Sequence, residues 1–369
     1  MADRYWVGGT GNWSDDTNHW ATSSGGAPGG GNKPTASDNA IFDANSGNPG
    51  AYTMTVNESA LCLDFTLNAA PSGGGTITWT GASPMTISGS MLLLAGMITT
   101  YTGTITFNAT SAKTITSNAI TMDCPVTLDG VGGTWQLVDA ITLSNVQPLR
   151  LTNGTFDANN QNVTCGQFST NNSNVRVVTM GSGDWTLTGG DGGNTVVWQA
   201  LTSTNLTVNR GTSTIKIPQT SATATITFNG GGKTYPSIQF TGSPGSASLD
   251  FSASNTLKNI SVITPPATIR FTAGTTTTIE DDDGFPSGTL GNLVTITSIT
   301  AANHNLLKTG NTGAGDVLCD FLSISRSQAS PSRTWLAGDN STNGGNNSGW
   351  IFDDVLPKLS GGFVAFFTP

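Results

Sequence analysis

Three stretches of this chain repeat one short pattern at nearly one spacing, and that spacing restricts the fold more than any other feature. Ala224-Thr225-Ile226-Thr227-Phe228 is followed by glycines, then Lys233-Thr234-Tyr235, then Ile238-Gln239-Phe240. Ala247-Ser248-Leu249-Asp250-Phe251 begins the pattern again, followed by Asn255-Thr256-Leu257 and Ile260-Ser261-Val262. Ala267-Thr268-Ile269-Arg270-Phe271 begins it a third time, with Thr276 and Ile279 in the later slots. The starts at 224, 247 and 267 give a period of roughly 20 to 23 residues, within the range of stacked repeats. Inside each copy apolar and polar residues alternate, which buries one face of a strand and wets the other. A single copy cannot bury its inward residues alone. Copies stacked about 4.8 Å apart join their strands into continuous parallel sheets around a shared core.

The same triplet recurs upstream, in Ile77-Thr78-Trp79, Ile105-Thr106-Phe107, Val126-Thr127-Leu128, Ile141-Thr142-Leu143 and Leu149-Arg150-Leu151. It continues in Val175-Arg176-Val177, Trp185-Thr186-Leu187, Leu206-Thr207-Val208 and Ile215-Lys216-Ile217. The β-branched residues in these triplets suit strands and oppose helices. The expected fold is all-β, a parallel β-helix or solenoid over residues 51–300, with about eleven coils in a rod roughly 50 Å long. Before residue 224 the repeat is less clean, and irregular coils or a sandwich stay open there. Low charge (10%) and 47 glycines would suit a disordered chain, but 9 Trp and 15 Phe supply a core.

An open solenoid end exposes core and unpaired backbone, so caps are expected. Residues 1–50 supply one, with Tyr5, Trp6, Trp13, Trp20, Ile41 and Phe42 set among glycine turns and a Gly/Pro-rich loop at 23–36. Tyr5, Trp6, Trp13 and Trp20 have a second reading as a platform on which sugar rings stack. After residue 300 the composition shifts. Residues 301–355 read as a small closing unit, and 356–369 as an apolar docking tail. Phe363, Phe366 and Phe367 in that tail are the candidate partner-binding residues, because an apolar terminus is costly to leave in water.

Little else in the sequence carries chemistry. The net charge is −9 and no basic run exists, so phosphate neutralisation on nucleic acid is not expected. No apolar run reaches the ~20 residues that span a bilayer, and no secretory signal is expected at the N-terminus. Cys62, Cys124, Cys165 and Cys319 lie far apart with no CxxC pair, which reads as buried thiols rather than zinc ligands. Gly230-Gly231-Gly232-Lys233-Thr234 lacks the first glycine of a phosphate loop, since position 227 is Thr, and reads as a corner. Asp281-Asp282-Asp283-Gly284 lacks the alternation and closing Glu of a calcium loop and reads as a solvated turn. Glycosidase chemistry needs two carboxylates at a set separation, for which Asp184, Asp191, Asp250 and Glu280 are the candidates. Nothing pairs them, and nothing marks His19 or His304 as a base. No catalytic residue, metal site or cofactor is assigned.

The opening Tyr5-Trp6-Val7-Gly8-Gly9-Thr10-Gly11-Asn12-Trp13-Ser14, with Asn18-His19-Trp20 and Asp38-Asn39-Ala40-Ile41-Phe42-Asp43, resembles the start of many phage-encoded β-rich proteins. The closing run from Ser341 to Phe352 is similar to the end of the same proteins. The middle resembles the Gly/Thr-rich coils of phage tail spikes and bacterial surface adhesins. This resemblance implies a non-enzymatic virion structural protein, made in the host cytoplasm, acting as a tail fibre or spike with an adhesive role. Its expected partners are other virion proteins, host surface polysaccharide and further copies of itself, a trimer suiting such rods. Two alternatives stay open: a capsid decoration or head-fibre protein, and a polysaccharide-degrading spike. A bacterial adhesin passenger is a fourth.

Overall fold

The computed structural model describes residues 1–47, 49–144, 146–189, 195–218, 223–241, 247–309, 316–332 and 334–352. The chain is a parallel β-solenoid of about twelve turns, and a four-residue helix, Asp16–His19, is its one α-helix among the described residues. At about 4.8 Å per turn the stack is roughly 60 Å long. No helix among the described residues is long and apolar enough to cross a membrane.

One regular turn shows how the sequence builds it. Thr225–Asn229 forms a first face, Thr234–Tyr235 a second and Ser237–Phe240 a third. The next turn lays Ser248–Ser252, Thr256–Leu257 and Ile260–Val262 on those strands in parallel register, with Phe228 beside Phe251, Tyr235 beside Leu257 and Ile238 beside Ile260. Inward residues therefore stack in columns. The first-face column runs through positions 60, 85, 105, 126, 149, 168, 198, 228, 251, 271 and 298. Along this column a turn takes as few as 19 residues (149 to 168) and as many as 30 (168 to 198). Aromatic rings fill the column from Phe168 to Phe271, with successive centroids 4.7, 5.6, 5.7 and 5.4 Å apart. Ser298 ends that run, and the buried imidazole of His304 takes the space, 4.8 Å from the Phe271 ring.

One sequence expectation, the triplet at Val175, needs correction. The N-terminal cap and the C-terminal closing residues, where described, are built into the same stack. Asp3–Trp6 and Asn39–Phe42 join the same sheet as Phe65–Leu67, and Leu322–Ile324 and Thr342–Asn343 continue the first face beyond Val294–Ser298. The stack therefore runs through both proposed boundaries. The triplet at Val175 is reversed: Val175 is 69% exposed, while Arg176 is fully buried. Arg176 can face inward because its guanidinium donates to backbone carbonyls of Thr170, Asn174 and Thr204, the last two at 2.8 and 2.5 Å. Burial pulls its pKa down from the usual arginine value.

The N-terminal end is sealed. Among the described residues every strand pairing is parallel except one, in which Trp20–Ala21 runs antiparallel to Asp3–Trp6. A two-residue edge strand offers little to another chain, which blunts the open end of the sheet.

Candidate functional site

Four places were candidates from sequence: the N-terminal aromatics, the scattered carboxylates, the glycine and aspartate runs, and the C-terminal phenylalanines. The aromatics are a plug. Trp6, Trp13 and Trp20 are fully buried, and His19 stacks on Trp6 at 4.7 Å with the rings 9° from parallel. Trp6 Nε1 donates to the Gly9 carbonyl at 2.8 Å and Trp20 Nε1 to the Trp13 carbonyl at 2.9 Å. Gly11 is required beside this plug, because a Cβ there would lie 1.9 Å from His19 Nε2. The sugar-platform reading of Trp6, Trp13 and Trp20 is therefore overturned by their burial, and half-buried Tyr5 alone makes no platform. Phe363, Phe366 and Phe367 lie outside the described residues.

Each described carboxylate candidate is engaged by a cation from another turn. Asp184 meets Lys216 at 2.6 Å, Glu280 meets Arg210 at 2.5 Å, and Asp250 forms a two-pronged pair with Arg270, both contacts 2.7 Å. These are clamps between turns, and none brings two of the candidates together. Asp191 lies outside the described residues. In the aspartate run, Asp281 lies 3.9 Å from Lys258 and Asp282 2.9 Å from Lys308. Among the described residues no cluster of three or more His, Cys, Asp or Glu is placed to hold a metal ion. All four cysteines are buried and unpaired, and burial pushes the thiols of Cys124 and Cys165 up to about 12. The glycine run is a corner: Gly231 has φ +61°, and a Cβ there would lie 2.0 Å from the Ala200 carbonyl oxygen.

The structure adds two features that the sequence pattern does not announce. At the C-terminal end Trp350 and Phe352 are only partly buried, although Trp335 one turn inward is fully so. Trp350 Nε1 donates to Ser327 Oγ at 3.0 Å, and its ring lies 5.1 Å from Trp335. The second feature is a break in the third face. Residues 280–293 hold no strand, so the turn after Ile260–Val262 crosses that face as Gly284-Phe285-Pro286. Gly284 accepts from the Ile260 amide at 2.9 Å, and Phe285 turns inward to meet Trp335, ring centroids 5.4 Å apart. On the outside this leaves a groove of about 410 Å³ whose lining is mostly polar, Thr214, Ser237, Gln239, Asn259, Ser261 and Asp283 among it, with Ile260, Val262, Phe285 and Pro286 as its apolar part. Its signal in the sequence is a missing one, since no apolar–polar–apolar triplet of the repeat falls between Ile279 and Val294.

No protein-family model, no curated protein and no solved structure matches the chain.

Proposed function

We propose that this chain is a non-enzymatic structural protein of a bacteriophage particle, a stiff fibre- or spike-like projection that presents an adhesive surface. The observation that carries this reading is the architecture itself. About twelve turns share one continuous core, sealed at the N-terminal end, with polar ladders outward and cross-turn ion pairs along the sides. Such a stack resists bending because every turn is hydrogen-bonded to its neighbours. The contrast between the ends gives the rod a polarity: fully buried tryptophans at one end, partly exposed Trp350 and Phe352 at the other. The apolar residues Phe363, Phe366 and Phe367 follow that second end in sequence, so we assign it to contacts with other virion proteins.

Antibody labelling of purified particles by electron microscopy tests this reading. Label on the tail is the expected result. Label over the head would replace the fibre with a capsid decoration protein anchored through the same end, and absence from particles would overturn the virion reading. Loss of host polysaccharide chain length on incubation with the pure protein would overturn the non-enzymatic part.

A further inference from the structure

We infer that the groove at the third-face break binds a neutral saccharide, an inference that rests on the adhesive reading above. The groove exists because one turn lacks a strand where its neighbours have one, so it is a place the stack leaves open rather than a dip between side chains. Its wall is a ladder. Thr214, Ser237 and Asn259 occupy one outward column, and Gln239 and Ser261 the next, on three successive strands joined in register. Hydrogen-bonding groups therefore recur every 4.8 Å or so along the rod, which suits an extended ligand with a repeating unit.

The side-chain chemistry selects the class. Thr214, Ser237, Gln239 and Ser261 have no side-chain hydrogen-bond partner among the described residues, so their donors and acceptors face the groove or water. Asn259 donates to Asp281 at 3.2 Å, which leaves its carbonyl oxygen as an acceptor. Asp283 differs from Asp281 and Asp282 in having no cation partner among the described residues. The nearby cations each face a carboxylate, Lys216 at 2.6 Å from Asp184 and Lys258 at 3.9 Å from Asp281.

Three ligand classes are thereby disfavoured. An anion would meet an unpaired carboxylate and no free cation. A hard metal ion takes six or more oxygens and prefers several carboxylates, and Asp283 is the one free carboxylate here. An apolar ligand would desolvate these amides and hydroxyls without replacing their hydrogen bonds. A neutral sugar offers vicinal hydroxyls that donate to both Asp283 oxygens and exchange hydrogen bonds with Gln239 and Ser261. Asp283 then acts as a charge filter, admitting neutral units and rejecting uronate or sulfated ones.

The test is saturation-transfer NMR on the full chain with neutral trisaccharides of glucose, galactose, mannose and N-acetylglucosamine, each beside a uronic-acid counterpart. Adsorption of the protein to host cells is measured in parallel. The expected result is binding of at least one neutral trisaccharide, weakened about tenfold by Gln239→Ala. Asp283→Asn should let the uronic-acid counterpart bind. All these side chains point outward, so unchanged thermal melting will verify the fold of each variant. Neutral-sugar binding undiminished by Gln239→Ala, with the uronic-acid counterpart still excluded by Asp283→Asn, overturns the groove and leaves the adhesive reading standing. Adsorption to cells with no neutral sugar bound at millimolar concentration overturns the saccharide class alone. Failure of both binding and adsorption removes the adhesive reading as well.

Discussion

Replacing Phe251 with Ala is the sharpest probe of the stacked core, because its cost follows from the column geometry. The ring is fully buried, with Phe228 5.7 Å away on one side and Phe271 5.4 Å on the other. Removing a buried Phe side chain costs about 3–5 kcal/mol, and more where the site cannot collapse. Collapse is limited here. The turns above and below are held at about 4.8 Å by backbone ladders through Ser248 to Thr225 and Thr268, so neighbouring rings cannot close the gap. Each lost ring contact adds roughly 0.5–1.5 kcal/mol beyond area burial, which places the expected loss near the top of the range, about 4–5 kcal/mol. Urea unfolding followed by tryptophan fluorescence and by circular dichroism measures it. A second signature is expected, because turns couple only to their neighbours: the two probes should separate, with the turns after residue 251 melting first. Thr227→Ala, on the outward side of the adjacent turn, should change stability by less than about 0.5 kcal/mol. A comparably small loss for Phe251→Ala would refute the column.

The remaining predictions concern buried polar groups and one corner. Arg176→Met should cost about 3 kcal/mol or more in thermal or urea unfolding, because it strips the carbonyls of Thr170, Asn174 and Thr204 of their donor, and Arg176→Lys should recover only part of the loss. His304 should make the protein acid-sensitive. Burial lowers its pKa from 6.5 to about 4, so the unfolded chain takes the proton first, and stability falls as pH drops from about 6.5 to 4, by about 3 kcal/mol in all. The difference in melting between wild type and His304→Phe at pH 7 and pH 4 isolates that contribution, and a pH-independent difference would refute it. Gly231→Ala should lower stability by about 1–3 kcal/mol in the same unfolding assay, since the residue sits at φ +61° with no room for a Cβ.

How much of this was legible depended on which turn was being read. From Ala224 to Phe271 the turns are 23 and 20 residues long, and the spacing alone gave the correct register of Phe228, Phe251 and Phe271. Elsewhere the corners absorb extra residues, up to a 30-residue turn, and the period dissolves while the strands persist. Corners were expected at glycines, but Asn118, Asn159, Asn160 and Asn205 also take positive φ, which an asparagine count does not locate. Arg176 misled because a polar residue between two valines reads as outward. Only the carbonyls of Thr170, Asn174 and Thr204, brought together by the fold, make its burial tolerable. The ion pairs were invisible for a similar reason: Asp250 and Arg270 lie 20 positions apart, but Glu280 and Arg210 lie 70. Residues 301–355 looked like a closing unit because the composition shifts after residue 300, while their strands still pair in register with the turns before them.

Apart from Arg176, two departures from the regular repeat fall close together. Each turn owes its stability to its two neighbours, so a turn can lose a strand or an aromatic provided that something fills the inward slot. Phe285 fills it where the third-face strand is missing, and His304 fills it where the first-face column reaches Ser298. The first substitution opens the polar groove on the outside, and the second places a titratable ring inside, with Nε2 lacking a hydrogen-bond partner among the described residues. Both lie between residues 280 and 308, and an unbroken repeat, with another β-triplet at 284–286 and Phe at 304, is expected to be the more stable choice. If the groove holds a saccharide, the first departure is kept for that ligand. The second has no such account in the structure, which makes His304→Phe informative in a further way. If that variant is more stable at every pH and the protein still adsorbs to cells, the imidazole is a packing compromise. If adsorption is lost while the fold is intact, the two departures are coupled, and the groove depends on how loosely the turn beneath it is held.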